Sequence, residues 1–248
     1  MSLRFLFVVA FVVAAVGSRS PVAAAADFTP DQKKEIEAIV HDYLKNHPEM
    51  LIDAIQAADD KLKADEKDKA AQALAAHRQE VFNDPGSPVA GNPNGNVTLV
   101  EFFDYRCPYC KQVQPALEKL VADDHQLRFV FKEFPVLGPD SQVAARVALA
   151  ARKQGKYDAF HRAMMATTGH IDEGVIMKVA ASVGLDIDKL KQDMKSAEVD
   201  KQLQANLDLG KTLDLDGTPS FIVGDTIVPG AISANDLKEL IADARGKK

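Results

Sequence analysis

The chain contains two cysteines, and they are the residues whose type and spacing could do chemistry. Cys107 and Cys110 enclose Pro108 and Tyr109 in a Cys-Pro-Tyr-Cys motif. A disulfide stabilises a fold mainly by closing a long loop of the unfolded chain, and a loop this short removes little entropy. The pair is therefore predicted to be reactive, passing between dithiol and disulfide by exchange with other thiols.

The two thiols are predicted to have different tasks, because the motif leads into a helix predicted over 112–122. Unpaired backbone N–H groups and the helix dipole favour a thiolate at this end, so Cys107 is the expected nucleophile. Arg106 and Lys111 add positive charge beside it. Cys110, one turn further along, is placed to attack a mixed disulfide on Cys107 and to release the substrate.

Metal binding is the alternative use of such a pair. A structural zinc site needs four ligands, the chain has no second cysteine pair, and His125 and His161 follow no ligand spacing. Copper(I) binding by Cys107 and Cys110 stays open, because paired thiolates are soft ligands that suit this ion. We assign no role to His161 or to His170.

The elements that must position the thiols follow strand and helix patterns. An apolar, β-branched and aromatic run at 97–103 predicts a strand directly before the motif, and 127–131 predicts a second strand. Helical patterns dominate from about 139 to 213, punctuated by glycines. Residues 220–228 predict a hairpin with glycine first in its turn, and Ser233 caps a closing helix. This order predicts an α/β fold with a mixed sheet and a helical insert between its two halves.

Residues 27–83 are predicted to form a helical arm. Thr29 caps its first helix, and the apolar stripe that follows is interrupted at 46–48. A single amphipathic helix has nothing of its own against which to bury such a stripe. The arm packs either on its own chain or on copies of itself, and the periodicity does not decide between the two. A Pro- and Gly-rich linker, 84–96, separates the arm from the main domain.

The amino-terminal segment and the net charge indicate the compartment and the partners. Residues 1–26 have the positive start, short apolar run and small-residue end of a signal peptide. The apolar run is shorter than a membrane-spanning helix requires. Export would place the thiols in an oxidising compartment. The chain has 30 Lys and Arg residues and 36 Asp and Glu residues, which give a formal net charge of −6. This acidic balance argues against a nucleic-acid partner, because phosphate binding depends on clustered Lys and Arg.

The motif and its flanks resemble the DsbA-like thiol-disulfide oxidoreductases. The resemblance rests on residues 100–111, on Thr218-Pro219 and on the helical insert between them, and it spans roughly 84 to 244. It implies a thioredoxin fold over 97–246 with the helical domain inserted at about 139–213. Together with the stretch Tyr43-Leu44-Lys45-Asn46-His47-Pro48-Glu49, the arm is similar to that of the ScsC, or suppressor of copper sensitivity, subgroup, whose amino-terminal helices can build trimers.

The resemblance also implies roles for single residues. Pro219 matches the cis-proline of the family, which lies beside the dithiol and leaves the backbone of Thr218 free to pair with an extended substrate. Glu101 matches a buried acid that exchanges a proton with Cys110, where loss of solvation would resist its ionisation. Lys132 resembles a basic residue near that acid, although a surface lysine is the commoner situation. No cofactor is implied beyond the redox-active disulfide.

The function implied is periplasmic disulfide exchange with unfolded or misfolded protein clients. An oligomeric arm, such as the trimer that the helices of the subgroup can build, favours an isomerase or reductase that is recycled by a membrane reductase. An arm folded on its own chain favours a monomeric dithiol oxidase with a quinone-linked membrane partner. The spacing of the cysteines does not set the direction of exchange. That direction depends on the reduction potential of the cysteine pair and on the partner that restores its redox state.

Overall fold

The computed structural model describes residues 28–246. The predicted signal peptide, 1–26, lies outside the described residues. The chain divides into two compact units, one ending at Asp60 and the other beginning at Lys61. In chain order the helices and strands are α1 (Pro30–Asn46), α2 (Pro48–Ala76), α3 (Arg78–Phe82), β1 (Val89–Gly91), β2 (Val97–Phe103), α4 (Pro108–Asp123), β3 (Leu127–Glu133), α5 (Pro139–Arg152), α6 (Tyr157–Ala166), α7 (Glu173–Ser182), α8 (Ile187–Asp193), α9 (Ala197–Thr212), β4 (Ser220–Val223), β5 (Thr226–Pro229) and α10 (Ala234–Gly246).

The first unit consists of α1 and the beginning of α2. Thr29 caps α1 through a reciprocal capping box with Gln32. The predicted interruption is confirmed, because α1 ends at Asn46 and α2 begins at Pro48. The apolar side chains of this unit are largely exposed: Phe28, Ile36, Ile39, Val40, Tyr43, Met50, Leu51, Ile52 and Ile55.

The second unit is built on a five-stranded sheet of order β1-β3-β2-β4-β5. Strands β2 and β3 are parallel, and the other three strand pairs are antiparallel. Helix α4 forms the crossover connection that a parallel pair requires. The predicted mixed sheet is confirmed. Its register places Glu101 of β2 between Phe131 of β3 and Phe221 of β4.

The stretch predicted as linker contributes an edge strand. β1 pairs antiparallel with β3, and Val89 lies opposite Val130. Three residues are too few for a period-two pattern, so the sequence does not reveal a strand whose partner lies far along the chain. Gly91 has a φ of +70°, and a Cβ there would lie 2.5 Å from the Leu127 oxygen. Only glycine fits that close approach.

Each face of the sheet has its own core. One face packs Leu99, Phe103 and Phe131 against α4 and the helical insert α5 to α9. The opposite face packs Phe102 with side chains from α2 and α3, among them Leu74, Val81 and Phe82. The end of the predicted arm therefore supplies core residues to the second unit.

The position of Lys132 contradicts two expectations from the sequence. It is 1% exposed, so it is not a surface lysine. It pairs with Phe102 in the β2–β3 register, whereas Glu101 pairs with Phe131. Because successive strand residues point to opposite faces, Lys132 and Glu101 lie on different sides of the sheet. Lys132 is therefore not the basic neighbour of that acid.

Lys132 instead joins β3 to the end of α3. Its ammonium group donates to the Glu80 carbonyl oxygen at 2.6 Å and to Asp84 Oδ2 at 3.0 Å. Burial by itself would raise the pKa of Asp84, but the Lys132 charge and hydrogen bonds from Ser87, Gln202 and the Gly86 amide outweigh it and lower that pKa to about 2. The carboxylate is thus held ionised in the folded protein.

Asp84→Asn should destabilise the protein by about 3 kcal/mol at neutral pH, because it leaves a buried ammonium group without its counter-charge. Urea unfolding measures the change. The folded pKa of Asp84 lies below its unfolded value of 3.8, so its contribution is complete above pH 4 and is lost as the pH falls towards about 2.

Asp200→Asn is the matched control, since Asp200 pairs with Arg146 at an exposed site. It should cost less than about 1 kcal/mol. Equal losses in the two variants would contradict the anchoring role of Asp84 and Lys132.

Candidate active site

Both thiols lie where α4 begins. Cys107 is the amino-terminal capping residue, Pro108 is the first helical residue, and Cys110 lies in the first turn. The helix thus starts earlier than the predicted 112, because proline, which lacks a backbone N–H, is compatible with a first helical position. The Cys110 amide donates to Cys107 Sγ at 3.4 Å. The prediction that the pair occupies a helix start is confirmed by the geometry.

The surroundings of Cys107 favour its thiolate. The interaction with the Cys110 thiol lowers the pKa of Cys107 most, and hydrogen bonds from the Cys110 and Tyr109 amides lower it further. Burial acts in the opposite direction, and the resulting pKa is about 6. An ordinary cysteine has a pKa of about 8.5. At neutral pH the sulfur of Cys107 is therefore mostly ionised and ready to act as a nucleophile.

Cys110 is held in the opposite state. Its side chain is fully buried, and burial, its hydrogen bond to Cys107 and the nearby Glu101 charge all raise its pKa far above the usual range. One sulfur is thus a thiolate and the other a thiol that donates to it. This asymmetry is what an attacking thiol and a resolving thiol require.

A loop distant in sequence closes over the dithiol. The Thr218–Pro219 peptide bond is cis, and the Thr218 carbonyl oxygen lies 3.1 Å from Cys107 Sγ. Strand β4 begins directly after this loop and pairs antiparallel with β2. The sheet therefore brings Thr218 and Pro219 to Cys107, where the resemblance to the family places them.

Glu101 is a buried acid on the same side of the sheet as α4. Its side chain is fully buried, and within the described chain neither carboxylate oxygen has a hydrogen-bond partner. Burial, together with the charge of Cys107, raises its pKa to about 8. Glu101 therefore gains and loses its proton near physiological pH, at a position that interacts electrostatically with both sulfurs.

Asp104 is a site residue that the sequence analysis missed. Its carboxylate accepts from the Arg106 amide at 2.8 Å, from the Leu137 amide at 3.0 Å and from Ser141 Oγ at 2.8 Å. These bonds join the loop before Cys107 to the start of α5. An aspartate just ahead of the motif was visible in the sequence, but two of its three partners, Leu137 and Ser141, lie more than thirty residues away.

A buried polar cluster behind the same loop was also missed. Tyr105 and Tyr157 donate to Glu133 Oε1 at 3.0 and 2.8 Å, and the Tyr105 hydroxyl lies 3.2 Å from His161 Nδ1. Burial raises the pKa of Glu133 well above its ordinary value. His161, to which the sequence analysis assigned no role, thus connects the insert to the loop that carries Cys107.

Lys111 and Arg106 bind backbone oxygens near the site. The Lys111 ammonium group donates to the carbonyl oxygens of Met164 at 2.7 Å and Thr167 at 2.8 Å, at the end of α6. Burial lowers the pKa of Lys111 to about 8. Arg106 donates to the Leu137 oxygen at 2.8 Å. The Lys111 charge interacts with both sulfurs, and both side chains also use their donors to bind backbone oxygens of neighbouring segments.

The surface around the motif combines exposed apolar groups with this chemistry. Tyr109, Val136 and Leu137 are each more than 40% exposed. An exposed apolar surface beside a nucleophile can hold a protein segment while exchange proceeds. Among residues 28–246, no group of three His, Cys, Asp or Glu side chains is arranged to hold a metal ion.

Comparisons with known protein families match this geometry. The profile of the family described as "DSBA-like thioredoxin domain" matches residues 98–242. A second profile, described as "Copper resistance protein ScsC N-terminal domain", matches residues 32–64. The two matches fall on the domain that carries the dithiol and on the predicted arm.

Two solved structures are similar over most of their own length. A thioredoxin-like oxidoreductase from Silicibacter pomeroyi DSS-3 is 46% identical with a TM-score of 0.67, covering 68% of this chain and 98% of that one. Proteus mirabilis ScsC in a compact conformation is 34% identical with a TM-score of 0.66, covering 86% of this chain and 98% of that one.

Curated relatives are more distant. Disulfide bond formation protein D of Bacillus subtilis (strain 168) is 27% identical over 178 residues, which cover 65% of this chain and 79% of that protein. The chain spans only about a quarter of several Na⁺/H⁺ antiporters that it matches, 24% in the case of NhaA 1 from Salinispora arenicola. Among residues 28–246, no helix has the length and apolar character needed to cross a bilayer.

Alkylation of Cys107 by iodoacetamide, followed by mass spectrometry across pH, should report a pKa of about 6. Cys110→Ala should raise it towards about 8.5, the value of free cysteine, because the variant loses the hydrogen bond that contributes most to the thiolate. Tyr109→Phe is the control and should leave the pKa unchanged, since it keeps the backbone amide. An unaltered pKa in Cys110→Ala would contradict this account of the acidity.

Proposed function

The chain belongs to the family of DSBA-like thioredoxin domains, and from that premise we propose that it exchanges disulfide bonds with protein clients through Cys107. One observation carries the proposal. The two cysteines lie together at the start of α4, where the Cys110 amide donates to Cys107 Sγ at 3.4 Å, and the pKa of Cys107 is lowered to about 6 while that of Cys110 is strongly raised. Attack and resolution are thereby divided between them.

The reaction proceeds in two exchanges. The Cys107 thiolate attacks one sulfur of a client disulfide, forming a mixed disulfide and expelling the other client sulfur as a thiolate, which takes up a proton. Cys110 then loses its proton and attacks Cys107 Sγ, which breaks the mixed disulfide and releases the second client thiol. The client is reduced, and Cys107 and Cys110 become a disulfide. The reverse sequence oxidises a client.

Glu101 is proposed to take the proton that Cys110 must lose. A thiol with so high a pKa cannot attack unless a base accepts its proton in the transition state. Glu101 is buried beside the pair, lacks hydrogen bonds that would stabilise its charge, and has a pKa of about 8. These properties suit a group that accepts the proton and later returns it.

The Thr218–Pro219 loop is proposed to align the client. The Thr218 carbonyl oxygen lies 3.1 Å from Cys107 Sγ, so a client segment that pairs with the backbone of Thr218 would bring its sulfur to the nucleophile. The exposed apolar side chains of Tyr109, Val136 and Leu137 would support such a segment.

We propose that disulfide exchange runs in the direction of isomerase or reductase activity. The Cys107 pKa of about 6 lies nearer to the value of about 7 in thioredoxin than to about 3.5 in DsbA. A less acidic nucleophile stabilises the reduced form less, so the pair is a weaker oxidant. The dithiol would then be kept reduced by a membrane reductase. A monomeric oxidase recycled by a quinone-linked partner is the alternative.

The exposed apolar side chains of the first unit support an oligomer. Ile39 and Ile55 are 62% and 64% exposed, and the ScsC amino-terminal profile covers both. A stripe of this size in water favours burial against another surface. We propose that copies of the arm bury it against one another in an oligomer such as a trimer. The compartment proposed is the periplasm, reached through the signal peptide of residues 1–26.

Copper(I) binding by Cys107 and Cys110 is the second candidate function. Both cysteines lie at the start of α4, where the Cys110 amide donates to Cys107 Sγ at 3.4 Å, and the name of the amino-terminal profile refers to copper resistance. Soft thiolates suit copper(I). This function predicts tight copper binding by a protein that neither reduces insulin nor repairs a scrambled disulfide substrate.

Cys107→Ala should abolish insulin reduction, and Glu101→Gln should slow resolution of the mixed disulfide about 100-fold, as expected for loss of a general base. In the wild type, resolution should accelerate as the pH rises through about 8, where Glu101 ionises. The Gln variant should lack that rise. Stopped-flow kinetics with a labelled peptide disulfide measures both.

Glu239→Gln, on the exposed side of α10, is the control and should behave as the wild type. Full reductase activity in Cys107→Ala would overturn the proposed function. An unchanged pH profile in Glu101→Gln would remove only the role of Glu101.

Ile39→Asp combined with Ile55→Asp should convert an oligomer to a monomer, because it places charges in the stripe that the copies bury. Sedimentation velocity measures the mass. Lys34→Asp with Gln56→Asp is the control, since it changes charge at exposed polar positions of the same helices. A monomeric wild-type protein, or an unaltered mass in the Ile variant, would contradict oligomerisation through the arm.

A further inference from the structure

Among residues 28–246, the side chains that line one cavity beside the dithiol include three bases, Arg106, Lys111 and His170, and no carboxylate. The cavity lies between the start of α4 and the segment that follows α6, and its volume is about 370 Å³. Arg106 and Pro108, the residues on either side of Cys107, both contribute to its wall. A client segment joined to Cys107 would therefore lie next to it.

The two strong bases of this cavity are held by neutral groups. Within the described chain, the side chain of Arg106 donates to the Leu137 carbonyl oxygen, and Lys111 donates to carbonyl oxygens at the end of α6. Carbonyl oxygens orient a cation without cancelling its charge. Arg106 is only half-buried and its guanidinium group has several N–H donors, so it can bind a further acceptor.

The anions near these bases are Asp104 and the Cys107 thiolate. Both act electrostatically on Lys111. Asp104 does not line the cavity, and its carboxylate accepts from the Arg106 amide, the Leu137 amide and Ser141 Oγ. In the free dithiol, the two cations thus lie near two anions.

Formation of the mixed disulfide changes this balance. The Cys107 sulfur becomes neutral when it bonds to the client sulfur, so Arg106 and Lys111 then lie near a single anion, Asp104. A concave surface lined by one sign of charge attracts the opposite charge. The intermediate therefore favours an added negative charge at the cavity.

We propose that this cavity receives the carboxylate of an acidic residue close to the reacting cysteine of the client, with Arg106 as donor and Lys111 and His170 as further positive or donating groups. The inference rests on the proposed function, because disulfide exchange brings the client to the site. It narrows the clients to protein segments that carry Asp or Glu near a cysteine.

The position of the acidic residue follows from strand geometry. In an extended segment, residues two apart point to the same side. A glutamate two positions before or after the client cysteine would therefore point towards the protein, as the cysteine does. These two positions extend to opposite sides of Cys107, so only one of them can reach the cavity.

The test is a competition for Cys107 in the full-length Cys110→Ala variant, which lacks the resolving thiol and retains the mixed disulfide. A blocked Gly-Gln-Gly-Cys-Gly-Gln-Gly peptide competes with a peptide that has Glu in place of either the first or the second Gln. The incoming peptide thiolate attacks Cys107 Sγ, and the outgoing peptide leaves as a thiolate that takes up a proton. Mass spectrometry of the intact protein measures the ratio of the two mixed disulfides.

We expect about fivefold enrichment of the Glu peptide for one of the two positions and a ratio near one for the other. Ratios near one for both positions would overturn the inference and leave the proposed function intact. Equal enrichment at both positions would also overturn it, because the overall field of the protein would then suffice. Failure of every peptide to form a mixed disulfide would overturn the inference and the proposed function together.

Arg106→Gln, added to Cys110→Ala, should reduce the enrichment to less than about twofold, whereas Arg106→Lys should retain more of it because the charge is kept. Arg162→Gln is the matched control, since Arg162 is exposed, pairs with Asp158 and does not line this cavity. It should leave the ratio unchanged. An unaltered ratio in Arg106→Gln, or equal losses in Arg106→Gln and Arg162→Gln, would contradict the assignment.

Thr168→Glu tests the cavity without touching the Arg106 hydrogen bond, should Arg106→Gln fail to fold. Thr168 is exposed and lines the cavity, so the new carboxylate should compete with that of the peptide and remove the enrichment. Thr226→Glu is its control, because Thr226 is an exposed threonine at a different cavity. Enrichment that persists in Thr168→Glu, or that is lost equally in Thr226→Glu, would overturn the inference.

Discussion

The placement of both cysteines at the start of α4 is the constraint on which the rest of the site depends. Cys107 caps the helix, Cys110 lies in its first turn, and the Cys110 amide donates to Cys107 Sγ at 3.4 Å. The surroundings lower the pKa of Cys107 and raise that of Cys110, which is the difference that an attacking and a resolving thiol require. The register of the sheet then brings Glu101 and the Thr218 backbone to the same place.

The helical insert takes part in the active site because it is bonded to both sides of the motif. Before the cysteines, Tyr105 is held by His161 of α6 and Asp104 by Ser141 of α5. After them, Lys111 binds the carbonyl oxygens at the end of α6. A shift of α6 would therefore disturb the loop and the helix that set the geometry of the sulfurs. The insert therefore positions the segments on both sides of the dithiol, and it also packs against one face of the sheet.

Buried ionisable groups on opposite faces of the sheet are held in different protonation states. On the face of α4, the carboxyl groups of Glu101 and Glu133 have raised pKa values because burial disfavours their charge. On the other face, Asp84 stays ionised because Lys132 and three hydrogen-bonding groups surround it. The first arrangement favours the protonated form of both carboxyl groups. The second holds α3 to β3 and makes no proton available near neutral pH.

The sequence by itself determined the elements and the reactive pair, because helix starts, strand patterns and the spacing of Cys107 and Cys110 are local signals. It also located the hairpin, the insert and the interruption of the arm. Only the tertiary structure decided that β1 exists, that Lys132 faces away from Glu101, and that Asp104, Tyr105 and His161 brace the site. Each of these depends on a partner distant along the chain, and burial and hydrogen bonding to such partners leave no periodic trace in the sequence.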